Sequence, residues 1–152
     1  KATLAMQIDN EFTIRIASLP GIFLLKLTAW KDRHLLGAKD AYDMVLLLVN
    51  YLDINTERVI NEHYDLYEAE TFDLVIAGSR LMARDVKKLL QENETVLNYL
   101  RGIISEEIKQ AERSRLINQL IESDASLNYD QTLSCLEYII EEWESHKVNN
   151  FV

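Results

Sequence analysis

The stretch FLLKLTAWKDRHLLGAKDAYD, Phe23 to Asp43, sets two apolar helical patterns on either side of a charged corner. The first helix carries a lysine in the middle of its apolar run. Helical spacing places Lys26 on one face with Ile22, Ala29, Trp30 and Arg33, at separations of three, four and seven. An ammonium buried without a partner is costly, so Lys26 must reach solvent, an acid or a bound anion. A lysine whose stem covers apolar surface while its head reaches water meets the same requirement. Asp32 and Arg33 end this helix, Gly37 suits its C-terminus, and Lys39, Asp40 and Asp43 open the next. Lys39 and Asp43 are four apart and suited to a surface ion pair of ~0.3–0.5 kcal/mol. Asp40, in the first turn, suits the helix dipole. Five charges at one helix corner suggest a site as well as a surface.

Reading outward, Ser18-Leu19-Pro20-Gly21 predicts the start of the first helix, with Ser18 as cap, and the helix runs to about His34. The second spans about Ala38 to Leu52, its stripe formed by Ala41, Val45, Leu48 and Leu52 and widened by Met44 and Leu47. Asn55-Thr56 offers a cap for a helix over Glu57–Tyr67. Phe72–Leu90 is strongly periodic, with Leu74, Ala77, Leu81 and Arg84 spaced for one face and Gly78-Ser79 permitting close approach of a neighbour. Residues 92–122 read as continuously helical. Ser123–Asp130 is a loop, and a last helix near Asp130–His146 buries Leu133, Leu136, Ile140 and Trp143. Before all of these, FTIRIAS alternates with Phe12, Ile14 and Ile16 on one face, so TLAMQI and FTIRIA pair as a hairpin across Asp9-Asn10-Glu11. Two strands alone are marginal, so they must lean on the helices or on a further sheet. The expected fold is mainly α: residues 1–18 form a short β element that reads as the edge of a missing sheet, and residues 19–152 a single helical bundle.

Composition narrows the function. One proline and four glycines in 152 residues leave little material for a many-stranded sheet. The net charge of −9 argues against a general nucleic-acid binder. That charge is uneven: residues 1–40 carry six basic and four acidic residues, so the corner lies in the part that would welcome an anion. The single cysteine, Cys135, excludes an internal disulfide and reads as a buried thiol among Leu133, Leu136, Ile139 and Ile140. No signal peptide is evident, and runs such as MVLLLV are too short to span a bilayer, so a cytoplasmic protein is expected.

The three histidines, His34, His63 and His146, have no ligand spacing, and no nucleophile–histidine arrangement or phosphate-binding glycine loop occurs. Asp32, Asp40 and Asp43 are the residue types Mg²⁺ accepts, but the interleaved Lys and Arg would more naturally neutralise them. No metal ligand is assigned. Arg80, Arg84, Lys87 and Lys88 make a basic stripe that reads as a solvated face or a second anion contact. IIEEWESHK reads as a solvated acidic face.

Three segments, SLPGIFLLKLTAWKDR, AKDAYDMVLLLVNY and FDLVIAGSRLMARDVKKLL, resemble in order and spacing the C-terminal part of bacterial nucleotidyltransferase-like proteins of the AbiEii toxin group. The resemblance covers about Phe12–Leu90; Ala83 departs from it, where glycine is expected before Arg-Asp. It implies Mg²⁺-dependent transfer of a nucleotide from a nucleoside triphosphate to an unknown acceptor. Lys26 would face the triphosphate with Arg33 and Lys39, and Asp40 or Asp43 would be catalytic. Asp32, Trp30, Arg80 and Arg84 would support them. It also implies a toxin–antitoxin setting with an antitoxin-like partner. In such proteins a Gly-Ser turn followed by an Asp-x-Asp pair holds metal and nucleotide on a small sheet, and no such sequence occurs in these 152 residues. The chain is therefore expected to be a portion of a longer parent, to bind neither cofactor tightly and to be inactive alone. The alternative is a stand-alone helical module that docks a basic protein partner through anchors such as Trp143, Phe151 or Tyr129.

Overall fold

The computed structural model describes residues 3–7 and 13–145, which fold as a helical bundle preceded by a two-stranded antiparallel hairpin. The strands are β1 (Thr3–Gln7) and β2 (Thr13–Ala17), with Leu4 opposite Ile16 and Ala5 opposite Arg15. The hairpin expectation holds; its proposed turn at Asp9–Glu11, and Phe12, lie outside the described residues. Leu4, Met6 and Ile16 share one face and all three are exposed, so the helices do not cover it.

Helix α1 (Leu19–Arg33) starts where the sequence indicates: the Ser18 hydroxyl accepts the Gly21 amide at 3.3 Å, and proline fits the first turn. Helix α2 (Lys39–Ile54) follows after a short turn containing Gly37. A short α3 (Thr56–Glu62) and a 3-10 turn over Tyr64–Tyr67 lead to α4 (Leu74–Leu89). Asp73 caps α4 by accepting the Val75 and Ile76 amides at 2.9 Å each. Helices α5 (Glu94–Lys109), α6 (Arg115–Ser123) and α7 (Tyr129–Glu144) complete the chain.

Helix α4 is the hub, packed most extensively against α2 and α7. The expected close approach at Gly78 is present. A Cβ there would lie 2.8 Å from the Leu48 carbonyl oxygen and 3.3 Å from the Leu52 amide nitrogen, so only glycine admits the α2 backbone. Phe23, Leu27, Trp30, Leu48, Leu81, Met82, Ile104, Ile117 and Ile139 meet in one core. Full burial of a side chain of this kind contributes about 1.5–3 kcal/mol.

Three expectations need correction. The helix foreseen over Glu57–Tyr67 stops at Glu62 and gives way to a 3-10 turn over Tyr64–Tyr67, and Asn55 does not cap it: the Asn55 side-chain amide donates to the Tyr51 carbonyl and its oxygen accepts from Arg58. The continuous helix over residues 92–122 is broken at Ala111, whose φ of 51° lies in the left-handed region. The break is fixed by Glu107, buried at 6% exposure, whose carboxylate accepts the Ser114 hydroxyl and the Leu116 amide at 2.9 and 3.1 Å. Finally, the acidic stretch of α7 is a solvated face only in part, at Glu141 and Glu144. Glu142 and Trp143 are buried, and the Trp143 indole donates to the Ala83 carbonyl at 3.0 Å, so Trp143 is no exposed anchor. Tyr129 is partly buried, and Phe151 and His146 lie outside the described residues. Cys135 is buried as expected, and burial pushes its thiol up to about 11.

Glu142 holds α4 to α7. It accepts from Arg80 at 2.8 Å and from Arg84 at 3.0 Å, while Arg84 also grips Asp65. Removing the carboxylate leaves two guanidinium groups short of a partner in a half-buried setting. Glu142→Ala is expected to cost about 2 kcal/mol, below the range for a fully buried pair because Arg84 keeps Asp65. Urea unfolding checks this; a loss under about 0.5 kcal/mol, the level of a surface pair, would show the cluster to be superficial.

Candidate functional site: the corner of helices α1 and α2

Lys26 and Arg33 are two helical turns apart on one face of α1, and the tight turn after α1 folds the first turns of α2 against that face. Asp40 and Asp43, three apart on α2, therefore meet both cations. The Arg33 guanidinium donates twice to Asp40, Nε to Oδ2 at 2.7 Å and Nη2 to Oδ1 at 2.8 Å. The Lys26 ammonium lies 2.5 Å from Asp43 Oδ2 and 3.6 Å from Asp40 Oδ1. Lys26 is partly exposed and paired, neither buried alone nor simply reaching water.

The two acids are not equivalent. Asp40 is 5% exposed, and both its oxygens are engaged. Arg33 holds its carboxyl below the usual carboxylate range against the opposing effect of burial, with Lys26 adding to it. Asp43 is more open and holds only Lys26 among the described residues. The Asp43 carboxylate, opposed by burial and helped by Asp40, in turn raises the lysine pKa. The Lys39–Asp43 pair suggested by spacing does not form, because Lys26 reaches Asp43 first across the helix interface. Lys39 and Asp32 are exposed and have no ion-pair partner among the described residues.

Trp30 fastens the corner to the bundle. It is fully buried, its indole nitrogen donates to Gln119 Oε1 at 2.7 Å, and Gln119 Nε2 donates back to the His34 carbonyl at 3.1 Å. His34 stacks on the Trp30 ring, 4.6 Å between centroids. Sequence reading missed Gln119. It sits on α6 beside buried Leu116 and Leu120, and no local pattern separates it from a surface glutamine.

Arg80 and Arg84, expected to support the corner, are drawn away from it to Glu142 and Asp65. The neighbouring Asp85 accepts the Tyr51 hydroxyl at 2.6 Å and both terminal nitrogens of Arg58, at 2.8 and 2.5 Å, which joins α2, α3 and α4. The Arg-Asp pair of α4 is thus a structural clasp. Burial, then Asp85, pushes the Tyr51 hydroxyl far up, so it remains a donor. Among the described residues, no group of three or more His, Cys, Asp or Glu side chains is arranged to hold a metal ion, and no helix is long and apolar enough to cross a membrane.

His63 lies between these clasps, its Nδ1 3.3 Å from Arg84 Nη1. Burial first, then the Arg84 and Arg58 charges, hold its pKa below 6.5, while Asp85 and Glu62 pull it up. The unfolded chain therefore takes up this proton first as pH falls, and stability declines from pH 6.5 down to the folded-state pKa. Replacing His63 with glutamine should flatten that part of the melting-temperature profile. Asp40 and Asp65, held below 3.8, act only at lower pH. An unchanged slope in the His63→Gln protein would contradict the assignment.

With the helices and the corner in place, comparison with protein families gives the class first: a nucleotidyl transferase. The chain belongs to the family described as "Nucleotidyl transferase AbiEii toxin, Type IV TA system", whose model matches residues 2–143. The match reaches well past the Phe12–Leu90 region that carries the sequence resemblance, through α5, α6 and most of α7. No curated protein and no solved structure matches the chain.

Proposed function

We propose that this chain is the helical portion of a cytoplasmic nucleotidyltransferase, with Lys26 facing the triphosphate of a bound nucleotide. One observation carries the reading: in a member of this family, Lys26 is held at a partly exposed rim by Asp43, beside a buried Asp40 carboxylate that an exposed Arg33 grips twice. A partly exposed ion pair is worth about 0–1 kcal/mol, so exchanging Asp43 for a polyanionic phosphate costs little. The bidentate Arg33–Asp40 pair is the fixed part, which keeps Lys26 aimed outward as the partner changes. Lys39 at the start of α2 adds a cation that has no ion-pair partner among the described residues, and Ala38 at the cap position offers no side-chain acceptor to the first amides of that helix. Asp43, once released by Lys26, is the carboxylate placed to take a proton from an acceptor. Asp40 is the positioning group.

The corner does not suit Mg²⁺. Both oxygens of Asp40 are occupied by cationic donors, and Asp43 is paired with Lys26. A magnesium requirement would rest on an Asp-x-Asp pair, which these 152 residues do not contain. No chemical step is assigned to a metal here. The exposed apolar face of the hairpin fits a sheet continued by such a segment. The family also supports an antitoxin as partner.

The test is the product of the native gene, weighed intact and incubated with each labelled nucleoside triphosphate, Mg²⁺, and RNA or protein acceptors. A mass well above 17.7 kDa together with label transfer supports the reading. A 17.7 kDa product that transfers nothing sinks it.

A further inference from the structure

Between α2 and α4 the chain makes an excursion, α3, the 3-10 turn and the following loop, that is anchored on the bundle by buried Val59 and Leu66. Its surface is unusual in two independent ways. Ile60, Tyr64 and Phe72 are exposed, Tyr64 at 59% and Phe72 at 46%. The rings form a continuous row: Tyr64 to Tyr67 is 5.9 Å between centroids and Tyr67 to Phe72 is 5.4 Å. On the same excursion Glu57, Glu62, Glu68 and Glu70 have no ion-pair partner among the described residues, while Arg58 is committed to Asp85 and Arg84 to Asp65 and Glu142.

A cleft of about 370 Å³ opens beside the 3-10 turn, bounded by Glu62, Asp65, Arg80, Arg84, Glu141 and Glu142. Its two arginines are already neutralised by Asp65 and Glu142, and Lys87, bound to the Glu142 and Ser145 carbonyls, offsets only part of the charge of Glu62 and Glu141, so the field of the cleft stays negative. A lysine or arginine side chain entering here would find the Glu62 and Glu141 carboxylates at its head. Phosphate-bearing surfaces would be repelled.

We propose that this excursion and its cleft are a docking site for a cationic segment of a protein partner, in which Lys or Arg side chains alternate with apolar ones. The cleft takes a basic side chain, and the Tyr64–Tyr67–Phe72 row takes the apolar residues beside it. The site lies apart from the Lys26 corner and does not rest on the transferase reading.

The test is an NMR titration of isotope-labelled protein with a short peptide of alternating arginine and leucine. The shifted resonances are expected to centre on Glu62, Tyr64, Tyr67, Phe72 and Glu141. A Glu62→Lys, Glu141→Lys double variant is expected to lose affinity by at least about tenfold, with its thermal unfolding unchanged. Tyr64→Ser, which removes a mostly exposed ring, should weaken binding separately. Shifts scattered over the acidic surface would overturn the proposal. So would an equal loss on reversing remote acids such as Glu94 and Glu106, or binding of single-stranded RNA or anionic vesicles at the same residues.

Discussion

Nucleotide transfer is expected to fall by at least about a hundredfold when Lys26 is replaced by alanine in the native gene product, the loss typical of one preorganised donor at a developing charge. The ammonium is the group at the corner that can leave its partner: Arg33 is bound twice to a buried carboxylate, whereas Lys26 holds Asp43 at a partly exposed rim. Its loss should weaken triphosphate binding through the charge it meets in the ground state, and slow transfer through the further charge that develops in the transition state. Stability should scarcely change. Lys26 is about one quarter exposed, and a pair of this kind contributes about 1 kcal/mol or less. Arginine at the same place is expected to restore part of the activity, because it keeps the charge but not the compact ammonium. Transfer at the wild-type rate by a folded Lys26→Ala protein would remove the corner from the mechanism.

Valine at Gly78 should cost about 3 kcal/mol, the upper end of the usual overpacking range. The added Cβ would meet the Leu48 carbonyl oxygen at 2.8 Å, and both groups belong to helix backbones that cannot turn aside. Helices α2 and α4 must separate, which loosens the packing of Leu48, Leu52, Leu81 and Met82 in one step. Alanine is the informative comparison. Its better helix propensity, worth about 1 kcal/mol, offsets part of the same clash, so Gly78→Ala should fall between wild type and valine. Equal stability of all three by urea unfolding would mean that the close approach is not required. Because α2 carries Asp40 and Asp43, the valine protein should also weaken the corner without touching it.

How much of this could be read from the sequence depended on whether the signal was local. Ser18, Pro20 and Gly37 act through their own backbone, and α1 and α2 begin and end close to where those residues place them. The apolar stripe of α2 and the small residues of α4 were equally plain, since burial follows helical period. The break at Ala111 was not, because it depends on Glu107 turning inward to cap α6, and an isolated glutamate looks like any surface acid. The site shows the same division. Lys26, Arg33, Asp40 and Asp43 were all picked out by residue type and spacing, but the pairing was legible only in space. Spacing within one helix favours Lys39 with Asp43, and the packing of α1 on α2 gives Lys26 instead. The pairing of Arg80 and Arg84 was hidden for a similar reason, since their partners Asp65 and Glu142 are distant in sequence.

Lys26 is expected to exchange Asp43 for a nucleotide phosphate when a triphosphate binds. The most direct measurement is a crystal structure of the native gene product with Mg²⁺ and a non-hydrolysable nucleoside triphosphate. The account predicts the Lys26 ammonium within hydrogen-bonding distance, about 3 Å, of a phosphate oxygen, with the Arg33–Asp40 pair intact behind it. A triphosphate bound elsewhere, with Lys26 still closed on Asp43, would contradict it.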